Sequence, residues 1–265
     1  MDTENKTVGL EINVPECLNE AAGNLANPLT KSVGQTMADI WDIVFGGVGE
    51  LAERKRLLHA HKLEQFKAEL EGKVESIPPE KLIPPDTQVV AGALDDARYC
   101  VEKDELRQMF SNLIAASLNS DTVHDVHPSF SNIIRRMSPF DANILLRFKK
   151  NSRKPIVHFV WRMKPEGTIP FLKNVISSAS HDDNLQKESR SLEVLQSLGL
   201  IDIDFSQHFV DDTNYDALLS NPLYVALKND PEKARIIQPD TSGIDCLKGI
   251  VTLTDLGSQF LKVCL

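Results

Sequence analysis

No pair of cysteines in this 265-residue sequence forms a C-x-x-C motif: Cys17, Cys100, Cys246 and Cys264 lie far apart. That spacing excludes a zinc ribbon or a redox dithiol and fits a reducing cytosol, where thiols stay free. No stretch approaches the roughly 20 consecutive apolar residues of a membrane-spanning helix. The opening residues, MDTENKTVGLEINVPECLNE, are acidic and polar, so a secretory leader is not expected. Neither G-x-x-x-x-G-K-[ST] nor G-x-G-x-x-G occurs, which excludes the usual phosphate-cradling loops. Ser111, Ser117, Ser129 and Ser131 lack a G-x-S-x-G elbow, so no acyl-transfer nucleophile is marked. Cations are also outnumbered: the net charge is -9, which argues against wholesale coating of nucleic acid. No residue pattern calls for a cofactor or assigns a catalytic role, and the composition points to a mainly α globular protein.

What is present begins with helices. Residues 1–27 show no sustained period and read as a weakly ordered arm. From Pro28, the residues Leu29, Val33, Met37, Ile40, Trp41, Val44, Phe45, Val48 and Leu51 form one apolar stripe at helical spacing. Gly46-Gly47 predicts a kink, a break or a close backbone contact within it, since each interior glycine costs about 1 kcal/mol. A charged helix follows from about Glu50 to Ser76, and then Ile77-Pro78-Pro79-Glu80-Lys81-Leu82-Ile83-Pro84-Pro85, whose proline pairs forbid a continuing helix and make a stiff connector. Asp86 or Thr87 can cap the next helix, which carries Val89, Val90, Ala93, Leu94, Ala97 and Cys100.

The centre of the chain, Asp104 to Phe148, reads as three helices. Leu106, Met109, Phe110, Leu113, Ile114 and Leu118 recur at three- and four-residue steps, the period of one buried face. Glu105 and Arg107 sit in an acidic helix start. His127-Pro128 shapes a second start, with Ser129 or His127 near the cap, and Ser138-Pro139 with Asp141 forms a third.

After Ser138 the character changes. Lys154–Met163 is dense in β-branched and aromatic residues, the mark of a strand. A helix over Asn184–Leu198 ends at Gly199, the left-handed terminator. A strand follows over Leu200–Phe205, then an acidic insertion at 206–246, a strand over Gly249–Leu253 and a final helix over Thr254–Leu265. Leu-Gly-Leu-Ile followed some fifty residues later by Leu-Thr-Asp-Leu-Gly resembles the strand regions of winged-helix domains, with the insertion in the wing position. The expected organisation is therefore an all-helical region at 28–137 and a winged-helix-like α+β domain at 138–265.

Four further constellations are candidates for function. His124-x-x-His127 with Asp121 and Asp125 collects four oxygen and nitrogen ligands, but in a loop, where helix-start shaping is the simpler reading. His59-x-His61 lies on a helix with the two rings about 200 degrees apart. The basic run Arg135, Arg136, Arg147, Lys149, Lys150, Arg153, Lys154, Arg162 and Lys164 can contact phosphates or a protein partner. The helix expected to do the reading, however, mixes Gln186, Lys187, Glu188, Arg190, Ser191 and Glu193, and acids beside a phosphate backbone repel it. The Leu29–Leu51 stripe can lie on a membrane or pair subunits closely into a homo-oligomer. Core packing is its simpler reading, and Asp39, Asp42 and Glu50 replace the basic fringe a membrane helix carries.

ELRQMFSNLIAASLNSDTVHDVHPSFSNIIRRMSPFDANIL resembles the motif of the bacterial abortive infection alpha family. The matching positions are Glu105, Leu106, Arg107, Phe110, Asn112, Leu113, Ala115 and Ser117, then His127, Pro128, Ser129, Phe130, Ile133 and Ile134, then Ser138, Pro139, Asp141 and Ala142. The likeness extends back through the proline-rich connector and the Trp41 helix and forward into the C-terminal half. It implies a cytoplasmic phage-defence protein that acts by binding a phage or host component. A nucleic-acid-binding regulator using the run 135–164 and a membrane-active effector using 29–51 are the alternatives.

Overall fold

The computed structural model describes residues 28–45, 53–177 and 182–265, and all of their side chains except those of 28–33, 53–59 and 182–183. The expected arm at 1–27 and the Gly46-Gly47 break lie outside the described residues, as do the side chains of Leu29, Val33, Leu51 and Leu58 on the two apolar stripes. The chain divides into two compact units. One runs up to Pro139 and regains Lys262–Leu265; the other is Phe140–Leu261.

The first unit is helical. Helix α1 (Pro28–Phe45) buries Met37, Ile40, Trp41, Val44 and Phe45. The Trp41 ring lies 4.5 Å from Phe45 and stacks 6.0 Å from Phe66 of α2 (Glu53–Glu75), so the described part of the stripe packs within the helical unit. Leu63, Phe66 and Leu70 are the buried positions of α2. The connector is folded: Pro79–Lys81 forms a 3-10 turn, and the Ile83 N–H donates to Leu118 O while the Ser120 N–H donates to Lys81 O. Asp86 then caps α3 (Thr87–Ala97), accepting from the Gln88 N–H at 2.8 Å. Helices α4 (Asp104–Ser117) and α5 (Phe130–Arg136) complete the unit, joined by a 3-10 turn at Val123–Asp125.

The second unit opens with α6 (Pro139–Leu146), where Pro139 takes the first helical position, and continues into β1 (Arg153–Met163). The next strand, β2 (Thr168–Val175), was not expected from the sequence. Helix α7 (Asp182–Ser197) ends at Gly199, whose φ of +75° is the left-handed conformation expected there. After β3 (Ile201–Asp204), the 206–246 segment is not an acidic wing. It folds into a 3-10 turn (Asp212–Tyr215) and helices α8 (Asp216–Leu219), α9 (Pro222–Asn229) and α10 (Pro231–Ile237). Tyr215, Leu218, Tyr224, Leu227 and Ala234 from these helices join Val157, Phe159 and Trp161 in one apolar core. Burying those side chains against the sheet outweighs the acids, which stay on the outer faces. The last strand is longer than expected, β4 (Thr241–Leu253), and α11 (Asp255–Cys264) follows.

The sheet is antiparallel in the order β2-β1-β4-β3. The two sequence signatures fifty residues apart meet at its end. The Thr254 N–H donates to Leu200 O at 3.0 Å, Thr254 Oγ1 donates to Gly199 O at 2.6 Å, and the Gly257 N–H returns to Thr254 Oγ1 at 2.9 Å. A Cβ on Gly257 would sit 2.0 Å from Leu200 O, so this close approach requires glycine.

Candidate functional site

The matched motif centres on Arg107, an arginine buried on the same helix as Leu106, Met109, Phe110, Leu113 and Ile114. A buried guanidinium needs its N–H fork satisfied. Nε and Nη2 both donate to Glu69 Oε1, at 3.1 and 2.8 Å, so the fork ties α4 to α2. Nη1 donates to Val101 O at 3.0 Å and to Asp104 Oδ1 at 2.7 Å, and Lys62 Nζ donates to the same Asp104 oxygen at 2.8 Å. Burial works against the Arg107 charge, yet its hydrogen bonds to Glu69 and Asp104 outweigh it and raise the pKa. Lys62 and then Arg107 pull the Asp104 carboxyl down to about 2. Beside this node, Glu69 Oε2 and Gln65 Oε1 are buried without a hydrogen-bond partner.

The hydroxyls of the motif are turned inward on their own helix. Ser111 Oγ donates to Arg107 O and Ser117 Oγ to Ile114 O. His127 and Ser129 do meet, at 2.7 Å, but as neighbours in a turn: His127 Nδ1 also accepts the Ser129 N–H at 3.1 Å. Among the described residues no carboxylate bonds the other nitrogen of that ring, the third group that a nucleophile pair requires. Phe130, Ile133, Ile134 and Asp141 are buried. Asn112 Nδ2 donates to Cys264 O at 2.9 Å, fastening Lys262–Leu265 to α4.

The four residues of the candidate metal loop do not converge. Lys81 takes Asp121, and Lys262 takes Asp125. Among the described residues no group of three or more His, Cys, Asp or Glu side chains comes together. His61 bonds Gln65, and the side chain of His59 is outside the described set.

The basic run is divided between the two units. Arg135 and Arg136 belong to the first unit and the remaining seven to the second. Arg135 pairs with Asp96, Arg147 with Glu188 and Arg162 with Asp245. Lys154 and Arg153 lie over the rings of Phe148 and Phe209. Nine strand positions, about 30 Å at ~3.4 Å per residue, separate Arg153 from Arg162. Lys149, Lys150 and Lys164 complete the run. On α7, Glu188 and Ser191 are buried, so only part of that helix faces outward; Glu188 accepts from Arg147 and from Ser177 Oγ at 2.6 Å. The burial of Arg107 and Glu188 had no signal in the sequence, because neither residue type is ordinarily inside.

The sequence model of the abortive infection alpha family matches residues 58–264. The chain belongs to that family. The match takes in the connector, the Arg107 node and the second unit, while the Trp41 helix lies before it. No curated protein and no solved structure matches the chain. Within the family region the Arg107 node is a device that joins α2 to α4.

Proposed function

We propose that this abortive infection protein is a bacterial, cytoplasmic phage-defence protein that works by binding a phage or host component, as sensor or effector, rather than by catalysis. Family membership carries the reading. It is supported by the way the motif is spent: Arg107, Ser111, Ser117, His127 and Ser129 all engage neighbours in their own unit. A motif consumed internally leaves recognition to outer surfaces, where Ile169, Ile236, Ile237 and Leu247 are exposed apolar side chains of the second unit. The strand order β1-β4-β3, with α7 before β3 and α11 after β4, supports a winged-helix-like core at 138–265 to which β2 and α8–α10 are additions. The test is plaque formation by a broad phage panel on a host expressing the gene. Reduced plaquing with death of the infected host is the expected result, and unchanged plaquing across the panel refutes the reading.

A further inference from the structure

The outer edges of the sheet are treated differently. The β2 edge is blunted: Pro170 has no N–H to offer, and the register with β1 shifts twice. The Asn174 N–H there is taken by His158 Nδ1, and Asn174 adopts a φ of +52°. At the other side, β3 covers only part of its neighbour, pairing with β4 from Ile250 to Leu253. Beyond Ile250, β4 keeps an unbroken register with β1 back to Gly243.

The direction of its backbone groups follows from the ladder. The Leu253 N–H donates across to Ser152 O, while the Thr254 N–H donates the other way, to Leu200 O. Counting back in twos, the N–H and C=O groups of Ile244, Cys246 and Lys248 point away from β1. The Cys246 N–H is held by Asp245 Oδ1 at 2.9 Å; among the described residues no hydrogen bond reaches the other outward groups. Alongside runs a groove of about 370 Å³ lined by Phe205, His208, Asp212, Cys246, Leu247 and Lys248. Leu247 is 41% exposed on its wall.

We propose that the β4 edge from Ile244 to Lys248 docks an extended segment of a partner protein by strand addition, seating one apolar side chain against Leu247 and Phe205. Unpaired strand groups at alternate positions are complementary to an extended backbone, and the apolar wall reads one side chain of it. Five residues, roughly 17 Å of edge at ~3.4 Å each, bury far less than the ~800 Å² per partner of a stable dimer. The occupant is therefore a short segment of another protein rather than a second copy of this chain.

This inference deepens the binding mode proposed above, and its test uses purified full-length protein, so its failure is separate from unchanged plaque counts. A displayed library of random ten-residue peptides is selected against the chain, and amide exchange is followed with an enriched peptide bound. Protection confined to Ile244–Lys248 is expected. Lys248→Pro removes an outward N–H without touching the β1 ladder and should weaken binding about tenfold. Lys248→Ala loses the Asp212 ion pair but keeps the N–H, and should stay within about threefold of the native chain. Leu247→Asp, on an exposed side chain, should abolish binding and guards against a proline variant that fails to fold. A library with no binder, peptides that hold all three variants equally, protection elsewhere, or edge-to-edge dimers in place of peptide binding would each overturn the proposal.

Discussion

Replacing Gly257 by alanine tests the joint between the Leu-Gly-Leu-Ile corner and α11. The new Cβ would lie 2.0 Å from Leu200 O, 2.9 Å from Leu200 C and 3.0 Å from Leu253 Cδ1. Carbon and oxygen tolerate about 3.3 Å, so the start of α11 must retreat by about 1 Å. That movement stretches the Thr254 bonds to Gly199 and Leu200. Overpacking costs roughly 1–3 kcal/mol, and the weakened hydrogen bonds about 1 kcal/mol each. Alanine's better helix propensity returns about 1 kcal/mol, leaving a net loss of about 2–4 kcal/mol. At roughly 2–4 °C per kcal/mol for a chain of this size, Tm should fall by about 4–16 °C. Gly72→Ala is the control: it is exposed in the last turn of α2 with nothing within 4 Å of the added carbon. It should gain roughly 0.5–1 kcal/mol. Thermal unfolding followed by circular dichroism reads both, and equal midpoints for the two variants would refute the close-approach argument.

Arg107→Met leaves Glu69 and the Val101 carbonyl without their donor and should cost about 3 kcal/mol in denaturant unfolding; a loss under about 0.5 kcal/mol would show that the node does not hold α2 to α4. His158 is kept neutral by burial, its pKa lowered while Nδ1 accepts the Asn174 N–H. The unfolded chain therefore binds the extra proton first, so stability is full above the ordinary histidine value of about 6.5 and is lost as pH falls from there toward the folded pKa. His158→Gln should flatten that slope between pH 7.5 and 5.5. Asp104 acts in the same direction at lower pH: its pKa of about 2 gives stability present above about 4 and lost as pH falls through about 2. Asp104→Asn should remove that part of the acid transition, and an unchanged acid limb would argue against the Lys62 and Arg107 contacts.

The helices with a regular apolar face and a recognisable cap were legible in the chain: α3 behind Asp86, α4 with its three- and four-residue steps, α6 behind Pro139, and α7 up to Gly199. Strand β2 was not, because Pro170, two register shifts and a left-handed Asn174 erase the two-residue alternation by which a strand is read. The helices α8–α10 were hidden for a different reason. Their anchors, with Tyr215 of the preceding 3-10 turn, are Leu218, Tyr224, Leu227 and Ala234, spread over four short segments among exposed acids, so no single window carries a period. Arg107 was marked by the motif but not its role, since its partner Glu69, and Lys62 that shares Asp104 with it, lie some forty residues away and arrive only through the packing of two helices. The basic run looked continuous in sequence because its gaps are short, but a strand spreads residues along its length that a helix would keep together.

The return of Lys262–Leu265 to the first unit gives the chain a particular order of assembly. Asn112 and Asp125 find their partners, the Cys264 carbonyl and Lys262, only after some 120 intervening residues of the second unit have been made. During synthesis the helices up to Pro139 emerge early but lack the piece that closes over α4. The earlier part of the protein is thus the last to be finished, and the second unit grows with both of its covalent ends destined for the same neighbour.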